Sequence, residues 1–327
     1  MRKGAVLMAV CLMGMAAAGA ALTGQGKKAH PDRGYPEKAV TVICPWVRDG
    51  GTDLALRALC RSAQKELGVP VNVVNKAGES GVIGFNAIRN APSDGYTLGM
   101  ITYELNSLPW EGSLDYTYED MEPLIMVNAD AVALAAHGDA PYNTIPELVE
   151  YAREHPGDIT VALSSPGCVW QVGTAMFADM ADIDLTFLPF EGTANAVTAA
   201  SNGYTEAVAA SVAEVTAQVE AGNLKILGIM DRERAPLYPQ VPTFGEQGYD
   251  VTYYTWRGLA LPKGVGGEKR AVLEQAFSAA MEDEDFVKEM KAKNLNITWM
   301  DAETFRAFLE RNYKEVGQTL KGLGMLK

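Results

Sequence analysis

Short apolar runs alternate along this chain with stretches in which apolar residues recur every three or four positions. Residues 40–43 read as a buried strand. The next stretch, 54–67, places Leu56, Leu59, Ala63 and Leu67 on one helical face. The alternation continues with strands at 71–74 and 96–101, separated by a Gly-rich turn at 75–84, a helix running to about Ala91 and a turn at 92–95. A long, almost uncharged strand-like run covers 124–136. Thr144 and Glu147 then have capping-box spacing, and Pro146 suits the first turn of the helix they open. Further strands are expected at 159–163, 185–190, 206–210 and 226–229, with helices at 169–180 and 212–221. Residues 231–248 are irregular and hold Pro236, Pro239 and Pro242. A second long run, 249–261, precedes two closing helices, one over 268–281 and one from about Asp301, where Phe305, Phe308, Leu309, Tyr313 and Val316 form a core-facing stripe.

Strands and helices in such alternation imply an α/β fold of mainly parallel sheets with helices on both faces. The two long runs flank the middle third of the chain and are expected to cross between two lobes. Residues 33–127 plus 251–327 would form lobe 1 and residues 128–250 lobe 2. A ligand cleft between lobes follows, because sites favour domain interfaces and the carboxyl ends of parallel strands.

Composition narrows the function. The chain has 327 residues, 48% hydrophobic and 21% charged, which supplies ample core. Its formal net charge of −13 argues against a nucleic-acid partner and against anionic membrane surfaces. Arg2 and Lys3 precede an apolar stretch at 5–18 and small residues through Ala21, so residues 1–24 read as an export signal cut near Ala20, too short for a comfortable membrane span. Cys11 falls inside that stretch behind Val10 and does not resemble a lipid-attachment site. Cys44, Cys60 and Cys168 remain, an odd number that leaves at least one free thiol. His30, His137 and His155 are scattered without metal-ligand spacing, and no cofactor motif is present.

The candidate chemistry lies in strand-to-helix loops. The first is Cys44-Pro45-Trp46-Val47-Arg48-Asp49-Gly50-Gly51-Thr52-Asp53. Gly50 and Gly51 permit positive φ and close approach of another molecule, and Thr52 or Asp53 can cap the helix. The first turn of that helix presents unpaired N–H groups, a ready anion site. A second small-residue loop spans 164–168, and Gly192-Thr193 opens a third such turn.

Six motifs in order resemble the extracytoplasmic solute-binding proteins of tripartite tricarboxylate transporters, the Bug-type receptors. The first loop is similar to the family's Pro-Phe-Pro-x-Gly-Gly-x-Thr-Asp. Asn75-Lys76-Ala77-Gly78-Glu79-Ser80-Gly81-Val82-Ile83-Gly84 resembles its Gly-rich turn, and Ser93-Asp94-Gly95-Tyr96-Thr97-Leu98 its Pro-Asp-Gly-Tyr-Thr-Leu. The segment from Ser164 to Gln171, Pro189-Phe190-Glu191-Gly192 and Leu237-Tyr238-Pro239-Gln240-Val241-Pro242-Thr243 follow in family order. The resemblance implies a two-lobed periplasmic-binding-protein fold of type II that closes on a small organic acid or zwitterionic carboxylate. It also implies a periplasmic or extracellular monomer, a membrane permease as partner, and no enzymatic activity. Carried over residue by residue, one carboxylate would lie between Gly50, Gly51, Thr52 and Asp53 on one side and Ser164, Gly167 and Cys168 on the other, with Thr193 as a further contact. Charge-assisted hydrogen bonds of about 1.5–3 kcal/mol each, with two helix ends, reach the roughly 8 kcal/mol of micromolar binding, so no arginine clamp is required.

The chain departs from the family in places that bear on the ligand. Val47 replaces a proline, Arg48-Asp49 replaces a small residue and a glycine, and Cys168 stands in place of a serine. Asp49 and Glu104 near the cleft would repel a simple dicarboxylate, which suggests a ligand with a cationic or hydroxyl-rich end, unless these side chains point to solvent. Arg48 could pair with Asp49 or bind a second carboxylate. Trp46, Trp110 and Trp256 either pack in the core or wall the cleft, with Trp256 best placed to sense closure. Two other functions compete: a sensor reporting to a membrane signalling partner, and an enzyme using Cys44 or Cys168, which lacks a histidine base in any recognised motif.

Overall fold

A computed structural model describes residues 34–326, and Tyr35 onward forms one compact unit. The expected export signal and Cys11 lie outside the described residues. The elements are, in chain order, β1 (Val40–Cys44), α1 (Gly51–Leu67), β2 (Val71–Asn75), α2 (Val82–Arg89), β3 (Thr97–Thr102), α3 (Glu104–Ser107), β4 (Met121–Ala131) and β5 (Ala133–His137). They continue with α4 (Ile145–Glu154), β6 (Thr160–Leu163), α5 (Val169–Ala181), β7 (Thr186–Pro189), α6 (Thr193–Ser201), β8 (Ala207–Ala210), α7 (Val212–Glu220) and β9 (Leu224–Ile229). The chain closes with β10 (Tyr254–Pro262), α8 (Gly267–Met281), α9 (Glu284–Ala292) and α10 (Ala302–Gly322).

Two five-stranded sheets share one plan, β2-β1-β3-β10-β4 and β7-β6-β8-β5-β9. In each the fourth strand is antiparallel to both neighbours, so the sheets are mixed: β10 runs against β3 and β4, and β5 against β8 and β9. Each reversed strand is the one that arrives from the other lobe, and arriving from the opposite end of the sheet is what reverses it. Pleating divides the side chains between two cores. Val40, Val42 and Cys44 pack with α1, α8 and α9, while Ile43 faces the core that also holds Trp256, Phe305 and Leu309.

The crossings lie side by side. Val132 links β4 to β5 and donates its N–H to Tyr253 O at 2.9 Å. Tyr253 N–H donates to Met230 O at 3.0 Å, and Met230 N–H to Val132 O at 2.7 Å. This backbone knot ties the two sheets with few residues, a geometry suited to a hinge.

Two expectations need correction. The run at 249–261 is strand only from Tyr254, because Tyr249, Val251 and Tyr253 are held by turns and crossing bonds. Helix α9 is not among the expected elements: apart from Phe286 and Met290, both buried, its stretch is dominated by charge. Its start is capped by Asp283, whose carboxylate accepts from Asp285 and Phe286 N–H.

Gly258 lets α10 close on β10. A Cβ there would lie 2.3 Å from Phe305 Cζ and 2.8 Å from the Ile125 carbonyl oxygen. Gly258→Ala is expected to cost about 1–3 kcal/mol by overpacking, read from the urea midpoint. A variant as stable as the parent would show that the helix can retreat freely.

Candidate functional site

The carboxyl ends of β1 and β3 and the amino end of β10 converge at the lobe boundary, where the loop from β1 delivers the first turn of α1. That helix has no side-chain cap. Gly50 is its N-cap in extended conformation, and Thr52 and Asp53 lie inside the first turn rather than capping it. The positive φ of this loop falls on Asp49, at 68°, and not on either glycine. Gly51 is instead a point of close approach. A Cβ would stand 3.0 Å from Arg257 Nη2 and 3.2 Å from Glu214 Oε1.

Opposite α1, the second lobe contributes Ser164, Val169, Trp170, Gly192, Thr193 and Glu214 to a shared cavity. The first lobe contributes Trp46, Val47 and the turn Gly50, Gly51 and Thr52. Its floor holds Thr102, Glu104, Thr255 and Arg257. The loops around Gly51 and Ser164 therefore meet across one cleft.

Of the residues singled out from sequence, Trp46, Gly50, Gly51, Thr52, Glu104, Ser164 and Thr193 line that cleft. The others stand elsewhere, for visible reasons. Arg48 and Asp49 point to solvent, with side chains 71% and 79% exposed and a loose 3.9 Å ion pair between them. Asp53 is buried under the loop, where it accepts from Arg57 Nε, Asn75 Nδ2 and Asp49 N–H, which together hold its carboxyl below the usual carboxylate range despite burial. Gly167, at φ 69°, faces the Glu111 carboxylate of the first lobe, so a side chain there has neither the backbone angle nor the room. Cys168 is the buried N-cap of α5. Its thiol is pushed up by burial, as are those of Cys44, to about 12, and Cys60, so none is a thiolate nucleophile.

Trp256 also misses the cleft. It is 1% exposed, meets Phe305 and Phe308 edge-on at 5.8 Å, and donates Nε1–H to Asn312. Alternation along β10 turns its neighbour Arg257 the other way, under the first turn of α1. Trp110 packs on Tyr313 of α10, with ring centroids 4.9 Å apart.

Arg257, a basic group outside the expected loops, also lines the cleft. It is 2% exposed. Nη1 pairs with Asp130 at 2.6 Å and also donates to Asn128, and Nε donates to Thr52 Oγ1 at 3.0 Å. Asp130 is further satisfied by Asn128 Nδ2 and Asn296 N–H. One arginine inside a strand is a weak sequence signal. The surrounding Asn128, Asp130 and Arg257, polar residues in otherwise apolar strands, were the readable trace.

Glu104 opens α3 at the end of β3. Thr102 Oγ1 donates to its Oε2 at 2.5 Å, and Trp46 Nε1 donates to Thr102 in turn. Burial outweighs that bond and the nearby Arg257 charge and pushes the Glu104 carboxyl up to about 7. Glu214, from the second lobe, closes a capping box with Ser211 through Oε2. Its Oε1 accepts from Gly51 N–H at 3.4 Å. It thus spans the lobes and sits at the amino end of α1, where a negative charge is favoured. Among the described residues no group of His, Cys, Asp and Glu is arranged to hold a metal ion.

A pair of sheet-and-helix lobes joined by two crossing strands, with a polar cleft at the ends of the parallel strands, defines a two-lobed solute-binding protein. Residues 55–325 match the tripartite tricarboxylate transporter family receptor, and the chain belongs to that family. It is 27% identical over 283 residues to BugT of Bordetella pertussis, covering 84% of this chain and 86% of that one. A TctC solute-binding protein from Polaromonas, solved without ligand, is 31% identical, with 88% of this chain and 99% of that one covered and a TM-score of 0.68. The periplasmic binding protein BugD is 26% identical, with 90% and 100% covered and a TM-score of 0.83. The family is one of receptors, not enzymes.

Proposed function

We propose that this protein is exported, captures a small carboxylate-bearing organic solute between its lobes and delivers it to a tripartite tricarboxylate-type membrane permease. The observation that carries the reading is the juxtaposition at Gly51. A helix start with no side-chain cap of its own, met only by Glu214 from the other lobe, and the Nη2 of a buried arginine open into one cleft between lobes that share a hinge. A charge-assisted bond to a carboxylate contributes roughly 1.5–3 kcal/mol, and the helix end adds up to about 2 kcal/mol where partly buried. Hydroxyls of Thr52, Ser164, Thr193 and Thr255 supply further donors. Closure around the ligand would present both lobes together to the permease. The expected export signal is consistent with that setting, and no described helix is long and apolar enough to cross a membrane.

A thermal-shift screen of the purified protein against small carboxylic and amino-carboxylic acids tests this. A ligand at about one hundred times its Kd adds about 2.7 kcal/mol, expected to raise the melting temperature by roughly 5 °C. The reading fails if no carboxylate moves the transition.

A further inference from the structure

The charges that face the cleft are more specific than a carboxylate receptor needs. Arg257 is already neutralised, since Asp130 pairs with it at 2.6 Å. Yet its Nη2 has no hydrogen-bond partner among the described residues, although the side chain is 3% exposed. That nitrogen lies just beneath Gly51 at the cleft wall. Thr52 uses its oxygen lone pair to accept from Arg257 Nε, which leaves the hydroxyl proton to donate. These two donors define where an anionic group goes.

Two carboxylates stand in the same cavity. Glu104 is 5% exposed and lies beside Thr102 on its floor. Glu214 reaches in from the opposite lobe and is fixed at both oxygens, by its own cap and by Gly51 N–H. Arg257 and Glu214 both approach Gly51, but they form no ion pair within 4.0 Å. With Arg257 balanced by Asp130, the surplus charge around the cavity is negative. A dicarboxylate would place its second charge in a low-dielectric space that already holds two like charges.

We infer that the cleft selects a small amino-carboxylate, whose carboxylate binds Arg257 Nη2 and the Thr52 hydroxyl and whose ammonium is held by Glu104 and Glu214. The inference rests on the receptor reading and narrows its ligand. It makes Glu104 and Glu214 the specificity-determining pair. Because one comes from each lobe, the ammonium would bridge the lobes and favour closure. A neutral hydroxyl in place of the ammonium would satisfy the hydrogen bonds but leave the two charges uncompensated.

Calorimetric titration of the protein at a pH of about 8, where Glu104 is ionised, tests the inference with matched probes. Succinate, glutarate and adipate are compared with aspartate, glutamate, β-alanine and γ-aminobutyrate. The best amino-carboxylate is expected to bind at least about tenfold more tightly than the best diacid. Glu104→Gln and Glu214→Gln are each expected to cut that preference about tenfold, by weakening the amino-carboxylate and relieving the diacid. Glutamine keeps the shape at both positions and can still serve the capping box at Glu214. Diacids binding as tightly as amino-carboxylates, or a preference retained in both variants, would overturn this inference while leaving the receptor reading intact. Binding by neither set would overturn both together.

Discussion

Replacing Arg257 by methionine is expected to destabilise the protein by roughly 3–5 kcal/mol. The physical reason is the group left behind. Asp130 is buried, and its Oδ2 pairs with Arg257 Nη1 at 2.6 Å. Removing the guanidinium strands a carboxylate in the interior and frees the Thr52 and Asn128 oxygens from their donors. The same loss should be far smaller when Asp130→Asn accompanies it, because no charge is then stranded. Urea unfolding of the two single variants and the double variant reads this as a double-mutant cycle. A single Arg257→Met variant within about 1 kcal/mol of the parent would mean that water reaches Asp130 and that the pair is not truly interior. The cycle also separates roles: the double variant should fold yet bind no carboxylate.

The second large effect is a pH dependence at Glu104. Its carboxyl is held at about 7 against an ordinary value of 4.5, with burial as the main cause. Below 4.5 the group is protonated in both the folded and the unfolded chain and costs nothing. Between 4.5 and about 7 the unfolded chain gives up the proton while the folded chain keeps it, so stability falls as pH rises. Above that window the folded protein carries the buried charge at a penalty of roughly 3 kcal/mol. Glu104→Gln removes the penalty. The variant should match the parent in denaturant midpoint near the acid end of the window and exceed it at a pH of about 8. Equal midpoints at both ends would show that Arg257 and Thr102 already hold Glu104 ionised. The penalty also bears on the ligand. A bound ammonium would supply the missing counter-charge, so binding energy is drawn partly from relieving a group the fold leaves strained.

Much of the architecture was readable from local pattern. The apolar run at 40–43, the helical face through Leu56 and Leu59, and the capping signals at Thr144 and Glu147 all describe structures held by neighbours in sequence. The capping bond from Glu147 N–H to Thr144 Oγ1 forms at 3.3 Å. Where the expected pattern failed, a tertiary contact had overridden it. Tyr253 has the side chain of a strand residue, but its backbone is taken by Val132 and Met230 at the crossing. Helix α9 needs only two apolar contacts because Asp283 and Lys65 anchor its start from outside.

The site divides along the same line. Loop composition together with the family resemblance pointed to Gly50, Gly51, Thr52, Ser164 and Thr193, since strand-to-helix loops are written in consecutive residues, and all five reach the cleft. Arg48, Asp49 and Trp256 show the limit of that method. Chemically attractive residues beside a loop turn outward or into the core according to the local pleat and turn, which chemistry by residue type does not reveal.

The alternation of strands and helices other than α9, the three Gly-bearing helix starts and the family motifs thus follow from local sequence, because each depends on residues a few positions apart. Which charges meet depends on the folded arrangement. Thr52, Glu104, Glu214 and Arg257 come from separate elements of both lobes, and no spacing along the chain encodes their approach. Strand pairing within each sheet and the crossing bonds between the sheets bring them to one point, and there the interaction between charges, which depends on separation through space and not along the chain, sets what the cleft can hold.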